Sequence, residues 1–356
     1  MNVKYSSTIF PSFVRVNNFV IVLNTTFIIS TFKVDVMAKV EIDGIVANPG
    51  EKAFGFLDVG STSVNTYKIP VAIINGAKEG KTLCILGGNH GTEFASIEAV
   101  IRTIQDSDPK KMSGTILAVP VINGPQFEHR SAFLSPFDQL NQNRQFPGDP
   151  EGTLSQRTAH VVFSKIISKA DALCDTHGGD ITEDLDDFVI ARQTDDEELN
   201  RIAIEMARCF PGKMISARKG GPLRGSSGVA QDLLKIPCVT PEAGCPYPVR
   251  ERHVQFHYKG IQNLLKYMGI LEGTPELSNP PINPEGYRPK AKKGGIWWSI
   301  VELGQEVEAG QELGHMQDLF GNVIETYNSP KKGYVRFLRV WYSVNIGEPL
   351  VGISYL

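Results

Sequence analysis

Short apolar runs alternate with helix-type segments through the middle of this chain, and each run stops at a cluster of glycine and polar residues. Residues 82–86 form a continuous apolar run closed by Gly87 and Gly88, and residues 95–104 follow with apolar side chains at helical spacing. Residues 116–121 read as a second buried strand, 155–169 as an amphipathic helix, and 172–174 as a third strand ending at Asp175-Thr176-His177. Residues 197–210 and 257–268 read as helices, with residues 238–240 as a strand between them. Strands that are apolar throughout, separated by helices, require a sheet covered on both faces. The expected fold is therefore α/β, a mixed, mostly parallel sheet with helices on both faces. In such sheets ligands collect at the carboxyl ends of the strands.

Four segments follow from the change of texture along the 356 residues. Residues 1–36 stand apart as an N-terminal extension, and residues 37–272 form the α/β domain, with a strand-rich lead-in over residues 40–74. Residues 273–290 crowd Pro275, Pro280, Pro281, Pro284 and Pro289 into a linker. Residues 291–356 carry short alternating pieces spaced by glycines, the pattern of a small, barrel-like all-β module. In the extension, Met37 offers an alternative start, and an extra edge strand is the rival reading. Asn17, Asn18, Asn24, Thr25 and Thr26 break its apolar stretch, so no stable membrane span is expected where about 20 apolar residues are needed.

A net charge of −3 and no long basic run argue against a nucleic-acid partner. The five cysteines are scattered and never spaced as CxxC, which points away from a disulfide framework or thiolate zinc site and toward a reducing, cytoplasmic setting. The composition is compatible with a homo-oligomer.

The chemistry concentrates in Gly87-Gly-Asn-His-Gly-Thr-Glu93, where His90 and Glu93 lie three apart on the turn that opens a helix. An imidazole and a carboxylate at this spacing reach one point. His177 ends another strand and falls on the same rim of the sheet. Two His and one Glu make an open hydrolytic zinc set, with a fourth position for water. A buried, structural Glu93 is the alternative for the His-x-x-Glu pair taken alone. His253 and His257, four apart on a helix, are expected on its surface, and the glycine-rich stretch 219–228 is expected to be a mobile loop near the substrate.

Gly88-Asn-His-Gly-Thr-Glu93, Leu140-Asn-Gln-Asn-Arg-Gln-Phe-Pro-Gly-Asp149, Asp175-Thr-His-Gly178 and Thr240-Pro-Glu-Ala-Gly244 occur in that order. Together they resemble the succinylglutamate desuccinylase/aspartoacylase family, deacylases related to zinc carboxypeptidases. The resemblance implies a zinc carboxypeptidase-like fold for residues 37–272 and one Zn2+ per chain held by His90, Glu93 and His177. It makes Glu242 the general base, and Asn143 and Arg144 the grip on a substrate carboxylate. Asp175, two residues before His177, is expected to hold that ligand from behind, with the capping of a turn as the alternative. Relatives often carry a further arginine, serving the oxyanion, where this chain has Phe133; Arg130 and Arg224 are the candidates to take over that task.

The expected activity is zinc-dependent removal of an acyl group from a small N-acylated amino acid or related amide. A carboxypeptidase-like peptidase on the same zinc core is one alternative, and a noncatalytic binding protein is another.

Overall fold

The structure, a computed structural model, describes residues 38–219 and 225–356 together with the backbone of two strands near the N-terminus. Residues Met1–Asp35 and Val36–Leu356 form two separate units. In the first, β1 (Ser12–Val16) pairs antiparallel with β2 (Phe19–Leu23); the other expectations for residues 1–37 lie outside the described residues. The second unit opens with the hairpin of β3 (Val40–Ile42) and β4 (Ile45–Ala47).

Its main sheet is built from β5 (Glu51–Ser61), β6 (Thr66–Asn75), β7 (Lys78–Leu86), β8 (Ser113–Val119), β9 (Ala172–Asp175), β10 (Glu183–Ile190), the short β11 (Ile215–Ser216) and β12 (Cys238–Gly244). At its centre β8, β7, β9 and β12 run parallel. The flanks are antiparallel, β6 and β5 beyond β8 and β10 beyond β12.

The apolar run in β7 has the reason the sequence suggested. Leu83, Cys84, Ile85 and Leu86 are all fully buried, because both faces of the strand are covered. Leu83 and Ile85 join one core with side chains of α1 (Phe94–Asp106), while Cys84 and Leu86 join the other with α3 (Leu154–Lys165), which follows the short α2 (Gly124–His129). Helices α4 (Glu197–Arg208) and α6 (Glu251–Tyr267) share the first core, and α5 (Gly225–Leu234) shares the second. Each such Leu or Ile contributes about 1.5–3 kcal/mol by burial, so the central strands hold a fixed frame behind their carboxyl ends.

Two local expectations are corrected. Helix α6 begins at Glu251 rather than at residue 257, and His253 and His257 are buried at 1% and 0% exposure instead of lying on its surface. The cause is that α6 packs on two sides: Val254 meets Ala95 and Ala99 of α1, while Phe256 and Ile261 enter the core under the sheet. Both histidines therefore fall on an inward face. In the glycine-rich stretch, residues 220–224 lie outside the described residues, and from Gly225 the chain is helix α5 rather than loop.

The C-terminal region supplies β13 (Gly286–Tyr287), β14 (Gly295–Ser299), β15 (Glu306–Val307), β16 (Glu312–Gln317), β17 (Val323–Asn328), β18 (Gly333–Arg339), β19 (Ser343–Val344) and β20 (Val351–Tyr355). Strands β17, β16, β14 and β19 form an additional antiparallel sheet, with Trp297, Leu313, Met316 and Val335 in the core beneath. Strand β18 pairs antiparallel with β10, so β18, β20 and β13 extend the main sheet. This pairing carries C-terminal side chains to the edge of the cleft described next.

Candidate active site

The parallel strands β7 and β9 end side by side, Leu86 opposite Asp175, and the residues that follow them turn toward one another. Beyond β7 the chain makes a tight turn through Gly88, at φ +58°, before α1. A side chain at Gly91 would meet the Phe127 amide nitrogen at 2.4 Å, so the turn lies flat on α2 and presents His90 and Glu93 inward. Beyond β9 the chain continues alongside β12: the His177 amide donates to Pro241 O at 2.9 Å and the Ala243 amide to His177 O at 3.3 Å.

His90, Glu93 and His177 are 7%, 3% and 2% exposed. One ligand atom from each lies within 4.8 Å of the others. His90 Nδ1 is 2.7 Å from Glu93 Oε1, and His177 Nδ1 is 2.9 Å from Glu93 Oε2. The opposite nitrogens face oxygen atoms, His90 Nε2 lying 3.2 Å from Asn141 Oδ1 and His177 Nε2 3.1 Å from Asp175 Oδ2, with Asn143 Nδ2 also 3.2 Å from His177 Nε2. An Nε2–H donated to each oxygen leaves both Nδ1 lone pairs directed at the carboxylate. Buried lone pairs that converge in this way repel unless a proton or cation lies between them, and two imidazole nitrogens with one carboxylate suit zinc. The set therefore fits a metal ion. Without one, burial alone would raise the Glu93 carboxyl, but the facing His177 and His90 outweigh it and bring the value down to about 2.

A cleft of about 740 Å³ opens over these three residues. Glu242 reaches it because β12 alternates: Val239, Pro241 and Ala243 are buried, while Thr240 and Glu242 are half-buried and line the opening. Burial pushes the Glu242 carboxyl well above the ordinary range; His177 opposes this, while Glu93, Glu183 and Asp175 add to it. Asn143 Oδ1 accepts from Asn89 Nδ2 and the Ser226 amide, each at 3.0 Å. A side chain at Gly225, which has φ +79°, would strike Asn143 Oδ1 at 2.6 Å; glycine there lets α5 start against the cleft wall. Arg144 also lines the cleft, and its Nη1 donates to Asn143 O at 3.0 Å.

The structure thus gathers His90, Glu93, His177, Glu242, Asn143, Arg144 and Asp175 around one opening. Arg130 is not among them: it is exposed at the end of α2, with φ +55°, where it caps the helix. Arg224 lies outside the described residues. Phe133 lines the cleft, its ring edge-on to His90 at 5.7 Å, and its amide donates to Asp180 Oδ2 at 2.8 Å. Among the described residues, the arginines lining the cleft are Arg144, Arg192 and Arg288.

Several members escaped the sequence reading. Asp180, fully buried, accepts from Thr92 Oγ1 at 2.8 Å and Gln126 Nε2 at 3.0 Å as well as from Phe133, which ties the His90 turn to the Phe133 segment. It lies two residues past the Asp175–Gly178 block and could have been drawn into it. Ser226 Oγ donates to Asp175, and Asn141 holds His90 from inside a block already noted. Arg288 had no local signal.

The sequence profile of the succinylglutamate desuccinylase/aspartoacylase catalytic domain matches residues 79–268, which spans β7 to the end of α6. The chain belongs to this family. Over 296 residues it is 26% identical to the N-alpha-acetyl-L-2,4-diaminobutyric acid deacetylase of Halomonas elongata, covering 80% of this chain and 85% of that relative. Among solved structures, the ectoine utilization protein EutE of Ruegeria pomeroyi superposes with a TM-score of 0.79 at 22% identity, over 90% of this chain and 98% of that one. A succinylglutamate desuccinylase/aspartoacylase from Rhodobacter sphaeroides gives 0.76 at 24% identity, over 85% and 95%. These structures share the mixed sheet.

Proposed function

We propose that the protein is a zinc-dependent amidohydrolase that removes an acyl group from a small N-acylated amino acid or a related amide. The reading is carried by the convergence of His90, His177 and Glu93, each offering one ligand atom within 4.8 Å of the others, in a cleft that Glu242 also enters. Membership of a deacylase family and similarity to a deacetylase of an N-acetylated amino acid support the same reaction class.

His90, Glu93 and His177 would hold the ion, with Asp175 and Asn141 fixing the two rings from behind. Bound there, zinc supplies Lewis acidity, polarising the acyl carbonyl and bringing the pKa of water toward neutrality. Glu242 takes a proton from the attacking water as its oxygen bonds to the acyl carbon. It returns that proton to the amine nitrogen as the C–N bond breaks. Asn143 and Arg144 orient the substrate through its carboxylate, which a planar guanidinium can grip with two parallel hydrogen bonds. The five free, buried cysteines support a reducing compartment, and we place the reaction in the cytoplasm.

A panel of N-acetyl and N-succinyl amino acids alongside short peptides, each with and without chelator, tests the proposal. Chelator-sensitive acyl release with peptides left intact is expected. Release of C-terminal residues from peptides would replace it with a peptidase, and no hydrolysis in zinc-supplemented buffer would overturn it.

A further inference from the structure

Along β10, Glu183 and Leu185 line the cleft, whereas Asp184 between them lines a separate recess of about 600 Å³. The recess forms where β18 pairs with β10, Leu338 lying opposite Asp184. Arg250 and Arg252, at the start of α6, and residues 301–303 of the C-terminal region complete it. It shares no lining residue with the cleft, and its size suits a small molecule.

Two guanidinium groups and two carboxylates line this space, and their charges are incompletely matched. Arg250 Nη1 donates to Asp184 Oδ2 at 2.8 Å. Asp184 is 4% exposed, and its Oδ1 is buried with no hydrogen-bond partner, whereas buried polar atoms are as a rule partnered. The Cys245 thiol is close by, its proton held more tightly by burial first and then by the Asp184 charge, but a thiol is only a weak donor. Arg252 Nε donates to His253 Nε2 at 3.1 Å, which orients its guanidinium. Arg252 and Glu302 line the recess with opposite charges, yet neither makes an ion pair with any described residue. Val301 and Leu338, both buried, and Leu303 supply an apolar wall.

This lining selects against a ligand of one sign. A simple anion entering beside Arg252 would meet the carboxylates of Asp184 and Glu302, and a simple cation would meet two guanidinium groups. A ligand with both charges and an apolar part satisfies every group present, because a guanidinium suits a carboxylate and a buried carboxylate oxygen suits an ammonium. We infer that the recess binds a free α-amino acid with an apolar side chain. Its carboxylate lies toward Arg252, its ammonium toward Asp184 Oδ1 and Glu302, and its side chain on Val301, Leu303 and Leu338. The site stands apart from the cleft, so the inference does not depend on the hydrolytic reading.

Calorimetry on the full, metal-free chain tests it with leucine as the probe, beside leucinamide and 4-methylpentanoate, each of which lacks one of the two charges. Leucine is expected to bind, and both analogues to bind about tenfold more weakly or worse, the scale of one lost charged hydrogen bond. Arg252→Gln and Glu302→Gln, at exposed positions that leave the core intact, should each weaken leucine to a similar extent. Arg144→Gln, which alters the cleft and not the recess, should leave leucine binding unchanged. No binding of leucine, an analogue that binds as tightly, or affinity unaffected by either recess substitution overturns the proposal. Loss of leucine binding in Arg144→Gln also overturns it, since the amino acid would then sit in the cleft.

Discussion

Replacing Asp175 by Asn removes one negative charge and almost no volume from behind His177. Asp175 is 1% exposed, and its Oδ2 faces His177 Nε2 at 3.1 Å, Asn89 Nδ2 at 3.3 Å and the Ser226 hydroxyl. Its Oδ1 is buried without a partner. In the variant the amide oxygen can still accept from His177, so the ring keeps its orientation, but the imidazole loses the charge that makes Nδ1 a stronger donor. Loss of such a partner lowers metal affinity by about 10- to 100-fold, or about 1.4–2.7 kcal/mol. The new amide group falls where Oδ1 had no partner, and an unsatisfied buried donor costs about 1–3 kcal/mol of stability. Competition with a zinc chelator reads the first effect, and unfolding of the metal-free protein reads the second. Zinc affinity within about twofold of wild type, in a variant shown to be folded, would refute the placement of Asp175 behind a ligand.

Glu242→Gln should keep its zinc and lose about 10²-fold or more in kcat, the usual scale of proton-transfer catalysis; near-wild-type turnover would remove Glu242 as the base. Gly260→Ala in α6 would place a methyl 1.9 Å from Phe210 Cδ1, and overpacking of about 1–3 kcal/mol outweighs a helix-propensity gain of about 1; an unshifted urea midpoint would contradict that packing. His257 is fully buried, both its ring nitrogens lack partners, and burial depresses it to about 3. The unfolded chain protonates this ring below about 6.5 while the folded one stays neutral, so stability falls with pH through that window, by about 2 kcal/mol from pH 7 to 5. His257→Leu should lose less stability over the same interval by that amount; identical pH dependence in the two proteins would argue against a buried neutral His257.

The candidate metal ligands were legible because each follows the end of an apolar strand, and the ends of adjacent parallel strands meet whatever lies between them in sequence. Four ordered motifs then added Asn143, Arg144, Asp175 and Glu242, all of which line the cleft. Spacing along one helix was less informative. His253 and His257 could face solvent or core equally well from their four-residue separation, and the packing of α6 against both α1 and the sheet decides the matter. Arg130 lies close to Phe133 in sequence, but its left-handed position at the end of α2 sends it to the surface. Arg288 sits in a proline-rich segment with no motif. Only the pairing of β18 with β10 and of β13 with β20 brings it to the cleft, and such long-range register is not written in local pattern.

His90, Glu93 and His177 are proposed to form a zinc site that hydrolyses an N-acyl bond. Elemental analysis of the purified protein and of its His177→Ala variant, with acyl release followed in parallel, tests it most directly. About one zinc per chain is expected in the wild type, with metal and activity lost together in the variant. Equal zinc content in the two proteins, or acyl release that persists in the metal-free enzyme, would contradict it.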